Sequence, residues 1–128
     1  MKKFLLLALF GLSFNSFGQN YKLVSTKGYR YDNARYLLVV GKKPDVKTII
    51  NEIYHILGTK KFSVMIVDNQ EAANYELMEF RMERLNREQS NYLNKHIVAM
   101  FDGLLETSGQ DYVLTYGSDG DDVTYEPK

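Results

Sequence analysis

The chain has 128 residues, with 16 basic and 16 acidic side chains and neither cysteine nor tryptophan. This length fits one domain, and the balanced charge argues against a general nucleic-acid-binding protein, whose basic surface should show in the total. A chain without cysteine has no disulfide framework, thiolate metal site, cysteine nucleophile or lipidated N-terminal cysteine.

The first eighteen residues have the three parts of a secretory signal. Lys2 and Lys3 form a basic start, residues 4–12 are apolar, and Ser16 and Gly18 are small residues at alternate positions. A helix that spans a bilayer needs about 20 apolar residues, and polar residues interrupt this run earlier. We therefore predict a cleaved signal peptide, with no membrane span and no lipid anchor.

Removal of residues 1–18 would leave one soluble domain, residues 19–128, in the periplasm or outside the cell. This domain would carry 14 basic and 16 acidic residues. Its charge is uneven, because residues 19–61 hold nine bases and three acids whereas residues 62–128 hold five bases and thirteen acids. Such asymmetry is typical of a dipolar recognition surface, although two halves that interleave in one small fold are the simpler interpretation.

The first predicted elements are two strands, a helix and a third strand. Residues 21–26 alternate weakly and residues 36–40 form the apolar run YLLVV, so both are predicted as strands. A helix is predicted from a cap at Asp45 to Gly58, because its apolar residues recur at helical spacing. Residues 62–67 give the next strand, and this series is typical of a right-handed parallel crossover.

The second half begins with a charged segment, residues 71–88, predicted as a second helix with Met78, Met82 and Leu85 on one stripe. An apolar strand follows over residues 97–101. Two further short strands, over residues 112–116 and 123–125, flank the turn sequence GSDGDD and indicate a hairpin.

These elements predict a small α+β domain with a mixed sheet of four to six strands and two helices. The interior runs lack clean alternation, which is typical of strands covered on both faces. Either one helix lies on each face, or a homodimer forms through the sheet.

The order of these elements, followed by the segment NKHIVAMF at residues 94–101, resembles small exported bacterial α+β domains of uncharacterised function. The resemblance covers most of residues 21–116. It implies a compact α+β domain and transfers no catalytic residue to this chain.

His96 is the catalytic candidate, since a histidine at the start of a strand can act as a general base where a carboxylate orients it. Asp68 and Asp102 each follow a predicted strand. If those two strands are parallel, both aspartates lie at one end of the sheet and His96 lies at the other. A histidine bonded to backbone is the simpler interpretation. The other histidine, His55, is predicted to face solvent on the first helix.

The turn residues Asp119, Asp121 and Asp122 are the calcium candidate, because calcium prefers carboxylate oxygens. Their spacing does not fit an EF-hand, and turn formation alone accounts for aspartate beside glycine. We therefore predict no metal site, and no motif indicates a cofactor.

Tyr29, Arg30, Tyr31 and Arg35 are the predicted binding residues, because tyrosine and arginine are enriched at interface hot spots. An ordinary strand surface explains them equally well. The leading functional hypothesis is an exported, non-enzymatic domain that binds a protein or a cell-envelope component. The alternative is a small periplasmic hydrolase that uses His96 with a carboxylate.

Overall fold

The computed structural model describes residues 21–24, 35–41, 45–104 and 112–128. The predicted signal peptide and three of the predicted binding residues, Tyr29, Arg30 and Tyr31, lie outside the described residues. In chain order the elements are β1 (Tyr21–Val24), β2 (Arg35–Val40), α1 (Val46–Leu57), β3 (Ser63–Val67), α2 (Gln70–Phe80), α3 (Arg87–His96), β4 (Ile97–Asp102), β5 (Val113–Tyr116) and β6 (Asp122–Thr124).

The strands form one six-stranded sheet in which they lie side by side in chain order. Strands β2 and β3 are parallel and are joined by α1, whereas every other neighbouring pair is antiparallel. The predicted α+β fold, its mixed sheet and its β-α-β crossover are thus confirmed. The predicted hairpin near the C-terminus is the β5–β6 pair.

Helix α1 packs on one face of the sheet, as its apolar spacing indicates. The Asp45 side chain caps it by accepting a hydrogen bond from the Thr48 backbone N–H at 3.2 Å, and Gly58 ends it in the left-handed conformation, with φ 72°. Its buried residues Ile49, Ile50 and Ile53 belong to a core that includes residues of β2, β3, β4 and β5.

Helices α2 and α3 pack on the opposite face. Ala72 and Ala73 of α2 and Leu93 of α3 are buried against Leu37 and Val67 of the sheet. Strands β2 and β3 are therefore covered on both sides, which explains why their apolar runs do not alternate.

The prediction of one helix over residues 71–88 is wrong, because the chain turns after Phe80 and starts a new helix at Arg87. The backbone N–H of Met82 bonds to the Glu79 carbonyl at 3.0 Å, and that of Glu83 bonds to the Met78 carbonyl at 2.9 Å. These two bonds form a Schellman motif that ends α2.

The predicted stripe of Met78, Met82 and Leu85 is therefore also wrong, since Met82 lies outside the helix with 79% of its surface exposed. Asn86 and Gln89 then form a capping box that starts α3.

Met82 and Gly58 end their helices in the same conformation, which allows a matched test of backbone strain. Met82 has φ 67°, a conformation that costs most residues about 1 kcal/mol or more and glycine almost nothing. We expect Met82→Gly to raise the free energy of unfolding by about 0.5–1 kcal/mol, because its exposed side chain contributes little packing.

The reverse change, Gly58→Ala, should lower the free energy of unfolding by about 1 kcal/mol, although a β-carbon at Gly58 would have no neighbour within 4 Å. Urea denaturation of the two variants and the wild type measures both changes. A less stable Met82→Gly variant would contradict this interpretation and indicate that the methionine side chain has contacts of its own.

Candidate functional site

A cleft of about 360 Å³ opens on the face of the sheet that carries α2. Helix α2 packs over β2 and β3, so it forms one wall of the cleft while β4, β5 and β6 continue beyond it as the floor. Its lining includes the side chains of Arg35, Ser63, Met65, Glu76, Phe80, Met100, Asp102, Val113, Thr115 and Asp122.

Glu76 is the central polar group of the cleft wall. It lies three and four residues after the buried Ala73 and Ala72 and four before Phe80, so it occupies the sheet-facing stripe of α2. Burial raises the pKa of the Glu76 carboxyl to about 7, and the nearby charge of Glu79 adds to this rise. Within the described part of the chain, no hydrogen bond or ion pair reaches this carboxyl.

The other two carboxylates of the cleft each have a partner. Asp102 accepts a hydrogen bond from the Leu104 backbone N–H at 2.7 Å, and Asp122 accepts one from the Thr115 hydroxyl. Among the residues that the structure describes, Arg35 is the one basic side chain on the cleft lining. The described lining is therefore net negative when Glu76 is ionised.

Arg35 is the one predicted binding residue within the described residues, and it lines this cleft at the start of β2. The sequence analysis did not single out Glu76, because it assigned the apolar stripe to the methionines further along. The sequence nevertheless contains a pattern that indicates Glu76: Ala72, Ala73 and Phe80 share one helical face, and this glutamate interrupts that face.

The structure also brings His96 next to Asp68, at the opposite end of the sheet from the cleft. Strands β3 and β4 are antiparallel, with Ser63 opposite Asp102 and Val67 opposite Ile97. The parallel arrangement considered for these strands, which placed Asp68 beside Asp102 and away from His96, is therefore wrong.

The His96 imidazole has three polar or aromatic neighbours. Its Nδ1 lies 2.8 Å from Asp68 Oδ1 and 3.2 Å from Asn69 Nδ2, and its ring centroid lies 4.3 Å from that of Tyr92. The side chains of His96 and Asp68 are 26% and 43% exposed. A carboxylate that orients an imidazole in this way leaves Nε2 available for general-base chemistry.

The remaining candidates are not assembled into a site. His55 is exposed on α1, as its position on the helix indicates. Of the calcium candidates, Asp122 bonds to Thr115, while Asp119 and Asp121 are exposed. Across the residues that the structure describes, no three or more histidine, cysteine or acidic side chains are grouped so that they could hold a metal ion.

None of the helices in the described ranges is long and apolar enough to cross a membrane. Comparison with protein-family models, with curated proteins and with solved structures found no significant match to this chain. The functional argument is therefore based on the chemistry of the cleft and of the His96–Asp68 pair.

The position of Glu76 predicts a dependence of stability on pH. The folded chain keeps the Glu76 proton up to about pH 7, whereas the unfolded chain releases it near pH 4.5, the ordinary pKa of a glutamate carboxyl. The folded state therefore binds more protons than the unfolded state in this interval. The contribution of Glu76 to the free energy of unfolding is complete below about pH 4.5 and is lost as the pH rises to 7.

We expect Glu76→Gln to be more stable than the wild type by about 1–3 kcal/mol at pH 8 and to differ little from it at pH 4.5. Glu79→Gln, on the exposed side of the same helix, is the matched control and should keep most of the wild-type pH dependence. Urea denaturation at several pH values measures the effect. Parallel stability curves for the wild type and Glu76→Gln would contradict it.

Proposed function

We propose that this chain is an exported, soluble, non-enzymatic domain that binds a protein or a cell-envelope component in the cleft beside Glu76. The observation that carries the proposal is the Glu76 carboxyl, which is partly buried in a cleft of mixed polar and apolar lining and has no hydrogen bond or ion pair within the described chain. Partial burial of a carboxylate costs free energy unless the group is paired. A bound partner that pairs with Glu76 would offset this cost.

Two further features support a binding role. Arg35, a residue type favoured at interfaces, lines the same cleft, and the predicted binding residues Tyr29, Arg30 and Tyr31 precede it closely in the sequence. The signal-like residues 1–18 support export, which would bring the domain into contact with envelope components.

The test is to fill the cleft without disturbing the rest of the fold. Ser63 lines the cleft at the start of β3 and is half-buried, so Ser63→Trp should occupy it. Ser118, also half-buried but in the β5–β6 turn and outside the cleft lining, provides the matched control Ser118→Trp.

With immobilised domain and an envelope extract of the source organism, we expect a component that the wild type and Ser118→Trp retain and that Ser63→Trp loses at least tenfold. Equal retention by all three would contradict binding in the cleft. Light scattering on the same proteins tests the homodimer, since a dimer that forms through the cleft face of the sheet should dissociate in Ser63→Trp.

The second candidate function is a small hydrolase, and the 2.8 Å contact between His96 Nδ1 and Asp68 Oδ1 favours it. In such an enzyme His96 would activate water or a hydroxyl, and Asp68 would orient its imidazole.

Chromogenic esters, phosphates and glycosides distinguish the two functions. The binding proposal predicts no turnover above the buffer rate for any of them. A hydrolase would instead show turnover that His96→Ala abolishes, that Asp68→Asn lowers by about 100-fold or more, and that the control His55→Ala leaves unchanged.

A further inference from the structure

We propose that β1 is an edge strand controlled by pH, held on the sheet while Glu52 of α1 is protonated and released more often once Glu52 has lost its proton. Release would leave the outer edge of β2 without its partner strand. This inference does not depend on the cleft or on the His96–Asp68 pair. It rests on the burial of the Glu52 carboxyl, on its position beside Tyr21 and on the place of β1 in the sheet.

Glu52 is a charged residue type in a buried position. On α1 it follows Ile49 by three residues and precedes Ile53 by one, so it lies beside the stripe that faces the sheet. Only 7% of its surface is exposed, and its two carboxyl oxygens have almost no surface open to solvent. Within the described residues, Glu52 is the one acidic or basic residue that is buried. Burial of this kind favours the neutral form of a carboxyl over the ionised form.

The Glu52 carboxyl meets β1 at the first residue of that strand, Tyr21. Tyr21 is buried in the core that α1 forms with the sheet, and its hydroxyl oxygen also has almost no surface open to solvent. Burial raises the pKa of the Glu52 carboxyl, and hydrogen bonding by the Tyr21 hydroxyl offsets part of that rise. The two groups therefore share one site between α1 and β1 from which water is excluded.

No charged group of the described chain compensates the charge of an ionised Glu52. The buried residues that β2, β3, β4 and β5 contribute to this core are uncharged, and Tyr36 is their one titratable member. On α1 the titratable residues nearest in the chain are Tyr54 and His55, of which His55 is exposed. Since no base in the described chain pairs with the carboxylate, water is the group that can solvate it.

Strand β1 is the neighbour of Glu52 that moves at the lowest cost. It has four residues and lies at the edge of the sheet, where β2 is its one partner among the described strands. Helix α1 is held by Ile49, Ile50 and Ile53, which are fully buried. Short elements at the edge of a fold open locally at a lower free energy than the core. Opening of β1 moves Tyr21 away and lets water reach the carboxyl.

The direction of the pH effect follows from proton binding in the two states. With β1 on the sheet, the pKa of Glu52 lies above its ordinary value of 4.5, and with β1 released, water returns the pKa towards that value. The closed state therefore binds more protons than the open state. Its advantage is complete below pH 4.5 and is lost as the pH rises through the raised pKa.

Amide hydrogen exchange measures the release of β1. The observed rate of each β1 amide that bonds to β2, divided by its intrinsic rate at the same pH, gives the open fraction of the strand. The reference protein is Glu76→Gln, because Glu76 is the other described carboxyl whose pKa burial raises. Between pH 4.5 and about pH 7.5 we expect the open fraction of β1 to rise at least about threefold. At every pH it should exceed the open fraction of the central strand β3 at least about tenfold.

Three variants of the reference protein assign the effect to Glu52. Glu52→Gln should remove the pH dependence of β1, and Tyr21→Phe should enlarge it, because the carboxylate loses a donor. His55→Gln, one turn further along α1, is the control for histidine titration and should retain the reference behaviour. An open fraction that does not change with pH, or that changes equally in Glu52→Gln, would overturn the inference. Equal open fractions of β1 and β3 would also overturn it, since the strand would then open only when the whole domain unfolds.

Discussion

Burial of β2 and β3 on both faces is the constraint on which the rest of the structure depends. Leu37 and Leu38 are neighbours in β2 and both are fully buried, yet neighbouring residues of a strand point to opposite faces. Each face must therefore be covered. Helix α1, the crossover between these parallel strands, covers one face, and the α2–α3 pair covers the other.

The cleft lies where the coverage of both sheet faces by helices ends. In β4 the burial alternates: Ala99 and Phe101 are buried on the α1 side, whereas Met100 between them is half-buried on the other. Among the described helices, α2 packs over β2 and β3, and the wall that it forms ends beside β4. Glu76 lies at that boundary and lines the cleft. The arrangement that stabilises the centre of the sheet therefore also creates a concave surface with an acidic group in it.

Local signals predicted the fold, but the candidate sites depend on contacts between distant residues. The caps at Asp45 and Gly58 and the run YLLVV specify α1 and β2 within a few residues. The break after α2 escaped prediction because Met82 adopts a conformation usually taken by glycine. The His96–Asp68 contact depends on the antiparallel pairing of β3 with β4, and residues 28 apart in the chain give no local sign of that pairing.

The register of β3 and β4 also bears on which site carries the function. Five residues separate Ser63, beside the cleft, from Asp68, which corresponds to about 16 Å along a strand. A small group bound at Glu76 would not reach His96. The histidine pair has a structural explanation of its own, since the Asp68 backbone N–H also bonds to the His96 carbonyl at 3.1 Å. Backbone and side chain together join the end of β3 to the start of β4, next to the register shift between Ile66 and Val67. Within the described chain, no comparable hydrogen bond or ion pair explains the presence of a carboxyl at Glu76. The cleft is therefore the stronger candidate for the functional surface.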